Sequence, residues 1–200
     1  MKLVSSLALV ALFAAAAPSQ AAIVYSGLRD IAITTTFDGV YLDVDAGTTS
    51  GTESTGWDIN PFFGGEGIAN SPDFQPARTT IALDAPILNA TFGSTVDGSL
   101  NFLSDYGGSD SHIGSGSNQF ASGTEGYIAF KFTPNDDSGT FYGWMRVSLS
   151  NDGSTGLIRD WAYDNSGSSI IVGSITAVPE PSGFALLGLG AAGLLRRRRK

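Results

Sequence analysis

The chain has 200 residues, of which 42% are hydrophobic, 26 are glycine and none is cysteine, and its formal net charge is −8. This composition is typical of one globular, turn-rich domain, and the missing cysteine excludes disulfides, thiolate catalysis and zinc–thiolate sites. Residues 22–178 hold five basic and 18 acidic side chains, a formal charge of −13. Because such a body repels phosphate backbones, we expect no nucleic-acid partner.

The N-terminus has the layout of a secretory signal peptide. Lys2 supplies a positive charge, residues 3–17 are almost entirely apolar, and the small residues Ser19 and Ala21 follow. Small residues at the −3 and −1 positions mark a cleavage site. We therefore predict a signal peptide over residues 1–21, export through the Sec system, and cleavage by signal peptidase after Ala21 or one residue later.

The first part of the body predicts a β-hairpin and then loops. Residues 31–37 and 40–44 are rich in β-forming side chains. They flank Asp38-Gly39, a pair that favours tight hairpin turns. The segments that follow are a predicted loop over 46–56, an aromatic, Gly- and Pro-containing segment without assignment over 57–76, a short strand over 79–83, and a Gly/Ser-rich loop over 104–123.

The second part of the body shows the clearest strand pattern. Residues 127–132 and 141–149 alternate between two faces, and residues 157–163 and 170–175 are further strand candidates. Clusters of Asn, Asp, Ser and Gly separate these four segments, as expected for antiparallel strands joined by turns. We therefore predict that residues 22–177 form an all-β body, an antiparallel β-sandwich of jelly-roll type.

The aspartates include close pairs that suit calcium, which prefers oxygen ligands. These pairs are Asp43 and Asp45, Asp136 and Asp137, and Asp105 and Asp110. Aspartate also occupies turns for conformational reasons alone, and the D-x-[DN]-x-[DN]-G spacing of a calcium loop is missing. We therefore assign no metal ligands and no cofactor, and a structural calcium ion remains an open alternative.

Residues that could support catalysis are few. His112 is the only histidine and lies in a turn-rich segment, whereas a catalytic histidine has to be held by packing and hydrogen bonds. Glu53, Glu66 and Glu125 lie in Gly-rich loops. None of them sits on a strand pattern beside a second acid, as glycoside hydrolysis requires. We therefore predict no catalytic residues and no enzymatic activity.

Three aromatic residues of the strand-rich part allow two interpretations. Tyr142, Trp144 and Trp161 could stack on sugar rings if they lie exposed on a sheet face. Large aromatic side chains more commonly fill a core, here the second face of the sandwich, and we favour this interpretation. A carbohydrate-binding module is therefore the alternative function, and a polysaccharide-degrading enzyme is a more distant one.

The C-terminus combines a proline motif, an apolar stretch and a basic cluster. Pro179-Glu180-Pro181 is followed by fourteen mostly apolar residues over 182–195 and then by Arg196 to Arg199 and Lys200. Fourteen helical residues span about 21 Å, less than the roughly 30 Å of a hydrocarbon core. We predict a short transmembrane helix over this stretch, with Arg196, Arg197, Arg198 and Arg199 as a cytoplasmic stop and the body on the periplasmic side.

This tail resembles the PEP-CTERM sorting signal of Gram-negative bacteria. The resemblance rests on residues 178–181, 186–190 and 196–199, which occur in the family's order. It implies recognition by exosortase, an integral-membrane cysteine transpeptidase, and an association with exopolysaccharide and biofilm matrix. Residues 126–173 also resemble a module often found ahead of such tails, which looks like a β-sandwich and mostly has no assigned activity.

The expected protein therefore has three parts: a signal peptide over 1–21, a β-sandwich body over 22–177 and a sorting tail over 178–200. We expect it to be exported, anchored transiently in the inner membrane, and then delivered to the cell surface or the extracellular matrix. No catalysis of its own is expected, and exopolysaccharide is a possible partner.

Overall fold

The computed structural model of the chain describes residues 22–82, 85–103, 119–150 and 152–176. Several predictions fall outside these ranges: the signal peptide with Ala21, the motif Pro179-Glu180-Pro181, the basic stop at 196–199, and His112. Within the described ranges, no helix is long and apolar enough to cross a membrane.

Short strands make up most of the described secondary structure. Three of them, β10 to β12, have eight or nine residues, and the others have two to five. The elements in chain order are β1 Ile23–Tyr25, β2 Ile31–Ile33, β3 Tyr41–Asp43, β4 Thr48–Ser50, β5 Ile59–Phe62, a 3-10 turn Phe63–Gly65, β6 Gly67–Asn70, β7 Phe74–Arg78, β8 Thr95–Val96, β9 Asn101–Phe102, β10 Glu125–Phe132, β11 Phe141–Ser148, β12 Gly156–Asp164 and β13 Ile170–Ile171.

The largest sheet is antiparallel and is built around the three long strands. Its order is β1-β12-β11-β10-β7-β9, and β2 also pairs with β12. The alternating segments 127–132, 141–149 and 157–163 are confirmed as β10, β11 and β12, because their side chains alternate between two buried surfaces. The fourth predicted strand is shorter than expected, since β13 spans only Ile170–Ile171.

A second antiparallel sheet, in the order β4-β3-β5-β6, shares a hydrophobic core with the first. The core includes Leu42, Ile59 and Ile68 from this sheet together with Phe130 and Met145 from the long strands, all of them fully buried. Each such side chain contributes roughly 1.5–3 kcal/mol of transfer free energy. The prediction of an all-β, antiparallel fold is therefore confirmed.

The opposite face of the long strands is also covered. The small β8–β13 pair packs there with a second cluster that includes Val96, Ile170 and Trp144. Ala129 and Ala162 are the β-sheet neighbours of Trp144 on the two adjacent strands, and their small side chains leave room for its indole. Both faces of the main sheet are thus buried. On this second face the covering strands, β8 and β13, have only two residues each.

Three predictions for the first part of the body are wrong, and one of them is the loop over 46–56, which contains β4 Thr48–Ser50. Asp38-Gly39 does turn the chain, with Gly39 at φ +66°, but β2 pairs with β12 whereas β3 pairs with β4 and β5. The turn therefore carries the chain from one sheet to the other and closes no hairpin. Residues 79–82 form a bend beyond β7 and no strand, and the unassigned segment 57–76 contains β5, β6 and the start of β7.

Candidate functional site: an acidic cavity

A cavity of about 730 Å³ opens at one end of the second sheet. Three connections line it: residues 53–58 before β5, residues 71–73 between β6 and β7, and residues 133–137 between β10 and β11. Hydrogen bonds between backbones hold these connections together, from Ser71 N–H to Asp58 O at 2.8 Å and from Thr133 N–H to Asp73 O at 3.0 Å. The lining carries four acidic residues, which are Glu53, Asp58, Asp73 and Asp137.

Asp58 forms a compact group with Asp43, the last residue of β3, and Asp45 of the β3–β4 connection, and we call Asp43, Asp45 and Asp58 the aspartate cluster. One carboxylate oxygen from each residue lies within 4.8 Å of the others. Asp43 and Asp58 are only 8% and 4% exposed, and Asp45 is half-buried. The cluster forms because Asp58 N–H donates to Leu42 O at 2.8 Å, which holds the start of β5 against the end of β3.

Hydrogen bonds fix the direction of all three carboxylates. Val44 N–H donates to Asp58 Oδ2 at 2.7 Å. The Asn135 amide donates through Nδ2 to Asp43 Oδ2 at 3.0 Å and to Asp45 Oδ1 at 3.1 Å. Asn135 N–H also donates to Asp45 Oδ2 at 3.2 Å. Asn135 therefore bridges the carboxylates of Asp43 and Asp45, and Ala46 N–H also donates to Asp43 Oδ1 at 2.8 Å.

Glycine is required where the 53–58 connection approaches this bridge. Gly56 has φ +83°, a conformation that residues with a Cβ rarely adopt. A Cβ atom at this position would lie 2.6 Å from Asn135 Oδ1, closer than van der Waals contact. Any larger residue at 56 would therefore displace the side chain that orients Asp43 and Asp45.

The electrostatics of the aspartate cluster are unfavourable as the chain stands. Burial raises the pKa of Asp58 to about 8; the Val44 hydrogen bond opposes the shift, and the charges of Asp43, Asp45 and Asp73 add to it. Burial, together with the neighbouring Asp43, also raises the pKa of Asp45. The ion pairs in the described part of the chain involve Arg146 and Arg159, and none of them includes a cluster carboxylate.

Ser71 adds an unused oxygen to the same cavity. Its side chain is 7% exposed, and its hydroxyl is buried without a hydrogen-bond partner. Leaving a buried hydroxyl unpaired costs about 1–3 kcal/mol. A hydroxyl in this situation can hydrogen-bond to, or coordinate, an atom bound in the cavity.

The sequence pairs suggested for calcium are only partly brought together. Asp43 and Asp45 join the site, and Asp137 lines the cavity, whereas Asp136 accepts a hydrogen bond from Ser138 N–H in its own turn. Asp105 and Asp110 lie outside the described residues. Sequence reasoning missed Asp58, Ser71 and Asn135, because no spacing relates them and only the pairing of β3 with β5 and β10 with β7 brings them close.

The three aromatic residues considered for sugar stacking do not share a surface. Trp144 and Trp161 are each 2% exposed and belong to the clusters on opposite faces of the main sheet. Their indole N–H groups donate inward, from Trp144 to Ser174 O at 3.1 Å and from Trp161 to Val44 O at 3.0 Å. Tyr142 is half-buried. The stacking interpretation therefore keeps only Tyr142 as an accessible ring of the three.

The three glutamates considered for catalysis, Glu53, Glu66 and Glu125, do not lie together in one site. Glu125 forms ion pairs with Arg146 and Arg159, and Glu53 accepts a hydrogen bond from the Trp57 indole at 3.2 Å. Glu66 follows the 3-10 turn, where its N–H donates to Phe63 O. Only Glu53 belongs to the acidic cavity.

Comparison with known proteins identifies the tail. Residues 177–200 match the family model of the PEP-CTERM protein-sorting motif, which confirms the resemblance predicted for the C-terminus. The protein is therefore an exported, tail-sorted protein, and its motif is of the kind that exosortase recognises. No curated protein and no solved structure matches the chain.

Proposed function

We propose that this protein is a non-catalytic component of the cell envelope or extracellular matrix, associated with exopolysaccharide. The observation that carries the proposal is the PEP-CTERM motif at residues 177–200, placed after an all-β body. In this proposal the body is a jelly-roll-like β-sandwich. Its long strands support the assignment, since their largest side chains, such as Trp144 and Trp161, are used for packing on both faces.

The proposed route follows from the physical character of the two ends. Signal peptidase removes residues 1–21 after Sec export, and the apolar stretch 182–195 holds the body at the periplasmic side of the inner membrane. Its length of about 21 Å makes a weak span, while the charges at 196–199 resist translocation. This combination suits a temporary anchor, which exosortase releases at Pro179-Glu180-Pro181.

Intact mass measured on cell fractions tests this route. In cultures of wild-type cells we expect the medium or matrix to contain a species that lacks residues 1–21 and Arg196 to Lys200. Cells lacking exosortase should hold the longer species in the inner membrane, and restoring the enzyme should restore release. A species that keeps the basic cluster in both strains, or a body that stays in the cytoplasm, would contradict the proposal.

Carbohydrate binding is the second candidate, and an aromatic row on the face of the main sheet that β8 and β13 cover favours it. Phe92 contacts Tyr127, Tyr127 contacts Trp144, and Trp144 contacts Tyr25, with ring centroids 5.9 to 6.4 Å apart. The two outer rings are accessible, since Phe92 is 68% and Tyr25 36% exposed. Exposed rings of this kind offer apolar faces to a sugar.

A glycan array tests this candidate with a matched control. Phe92→Ala should abolish binding of any glycan that the wild-type protein retains. Phe37→Ala removes a ring of similar exposure, 73%, which packs against Phe62 and Phe63 instead, and it should leave binding unchanged. A blank array for the wild type, or equal binding by Phe92→Ala, would exclude this surface.

A further inference from the structure

We propose that Asp43, Asp45 and Asp58 bind a calcium ion at the wall of the acidic cavity. The proposal concerns the body alone. It goes beyond the proposed function, because it depends neither on sorting nor on a glycan partner.

The spacing of the carboxylates suits one ion. Calcium takes oxygen ligands at about 2.3–2.6 Å, so that two oxygens on opposite sides of the ion lie about 5 Å apart. One oxygen from each of the three aspartates lies within 4.8 Å of the other two. A single ion can therefore contact all three residues without a rearrangement of the backbone.

The charge of the cluster favours a cation. Asp43 and Asp58 are almost completely buried, and no ion pair in residues 22–82, 85–103, 119–150 and 152–176 includes them. Burying a carboxylate without a positive partner is unfavourable, whereas metal coordination compensates its charge. The hydrogen bonds from Val44 N–H and Asn135 orient the three groups, but these donors are neutral and supply no positive charge.

A second observation, which is independent of the carboxylates, concerns Ser71. Ser71 lines the cavity beside Asp58, and its buried hydroxyl has no partner. A hydroxyl oxygen is a hard ligand, or an acceptor for a water molecule held by the ion. The cavity also leaves room for the waters that usually complete a shell of six to eight oxygens.

The donor set selects calcium among the common cations. Carboxylate and hydroxyl oxygens suit calcium, magnesium and manganese, whereas copper and zinc favour imidazole or thiolate. Magnesium demands near-ideal octahedral geometry and keeps most of its waters. Three carboxylates from two separate connections form an irregular group, which calcium tolerates better. Calcium sites of extracellular modules bind at roughly 10⁻⁴–10⁻³ M, a range that suits an exported protein.

Terbium luminescence tests both the binding and its location. The probe is Tb³⁺, which replaces Ca²⁺ and emits when an excited indole lies near. Trp57 lines the cavity, and the Trp161 indole donates to Val44 O between Asp43 and Asp45. The full-length protein is kept in detergent, its metal is removed with EGTA, and the EGTA is then removed. On addition of Tb³⁺ it should show saturable emission with one ion per chain. Ca²⁺ should displace Tb³⁺, and Mg²⁺ at the same concentration should not.

Variants test whether the aspartate cluster is the site that binds Tb³⁺. Asp58→Asn and Asp45→Asn should each weaken Tb³⁺ binding at least tenfold, and the half-buried position of Asp45 keeps that test valid if Asp58→Asn fails to fold. Asp38→Asn removes one exposed carboxylate of the β2–β3 connection, outside the aspartate cluster, and should bind like the wild type. No saturable emission from the wild type, or equal loss in Asp38→Asn and Asp45→Asn, would overturn the proposal.

Discussion

Two groups of acidic side chains among the described residues differ in how their charge is balanced. In the first, which we call the arginine cluster, Asp160 accepts two hydrogen bonds from Arg146, at 3.0 and 2.6 Å, and Arg159 pairs with Asp30 and Glu125. The aspartate cluster has three carboxylates and no basic partner among the described residues. The first group is complete within the chain, whereas the second needs an ion from outside.

Strand β12 connects the two groups. Asp160 and Trp161 are consecutive, so their side chains point to opposite faces of the sheet. Asp160 binds Arg146 on one face, and on the other the Trp161 indole donates to Val44 O at 3.0 Å, between two members of the aspartate cluster. The same strand therefore supports a structural ion pair on one side and a candidate binding site on the other.

The largest expected effect comes from breaking the arginine cluster. Asp160→Asn removes the charge that compensates Arg146 and one acceptor of the Tyr25 hydroxyl. Because the Asp160 side chain is 3% exposed, we expect a loss of about 3 kcal/mol, at the lower end of values for broken buried pairs. Chemical denaturation measures it. Asp30→Asn, at the exposed end of the same network, should cost less than about 1 kcal/mol, and equal losses would contradict this account.

Trp161→Phe tests the connection between the clusters. The substitution removes the hydrogen bond to Val44 O and part of a fully buried ring, which should cost about 2 kcal/mol and weaken Ca²⁺ binding. Trp144→Phe is the matched control, since it removes a similar hydrogen bond on the other face. It should lower the unfolding midpoint comparably and leave Ca²⁺ binding unchanged. Equal Ca²⁺ affinity in both variants would exclude the connection.

Asp58→Asn should change stability in the opposite direction to Asp160→Asn. In EGTA and above about pH 8, where Asp58 is ionised, it removes a buried charge that has no cation, while the amide can still accept the Val44 hydrogen bond. We therefore expect a gain of about 1 kcal/mol in the free energy of unfolding, and no further gain when Ca²⁺ is added. A loss of stability in EGTA as large as that of Asp160→Asn would mean that the chain compensates Asp58 internally.

The smallest expected effect concerns Asp152, a carboxylate that is stabilised by hydrogen bonds alone. Hydrogen bonds from Ser150 and Ser154 lower the pKa of Asp152 to about 2. Because the folded pKa lies below the unfolded value, this stabilisation is present above about pH 4 and is lost as the pH falls toward 2. Asp152→Asn should therefore flatten the pH dependence of the unfolding midpoint in this window. An unchanged slope would show that the turn contributes nothing to acid sensitivity.

The strands that the sequence predicted best are the long ones. β10 and β11 were predicted because apolar residues such as Ile128, Phe130 and Phe132 recur every second position, and β12 was predicted as a further strand between turns. β13 was predicted too long and β8 was not predicted, since two-residue strands carry no period. The Asp38-Gly39 hairpin failed because local turn chemistry does not determine which sheet each arm joins.

The candidate site was less accessible to prediction than the fold. Asp43 and Asp45 were noticed for their spacing, but Asp58, Ser71 and Asn135 come from three separate connections. Only the tertiary structure brings them together. The register of the long strands likewise placed Trp144 and Trp161 on opposite faces, which alternation within one strand cannot reveal. The sorting motif of the tail was predicted from its residues, because such a motif is read as sequence.

A crystal structure with anomalous scattering from Tb³⁺ tests the central claim most directly. It should show one strong peak within about 2.3–2.6 Å of oxygens from Asp43, Asp45 and Asp58, with no comparable peak beside Asp160 and Arg146. A map without a peak at the aspartate cluster, while the ion occupies other carboxylates of the same crystal, would contradict the claim that this cluster takes its compensating charge from outside the chain.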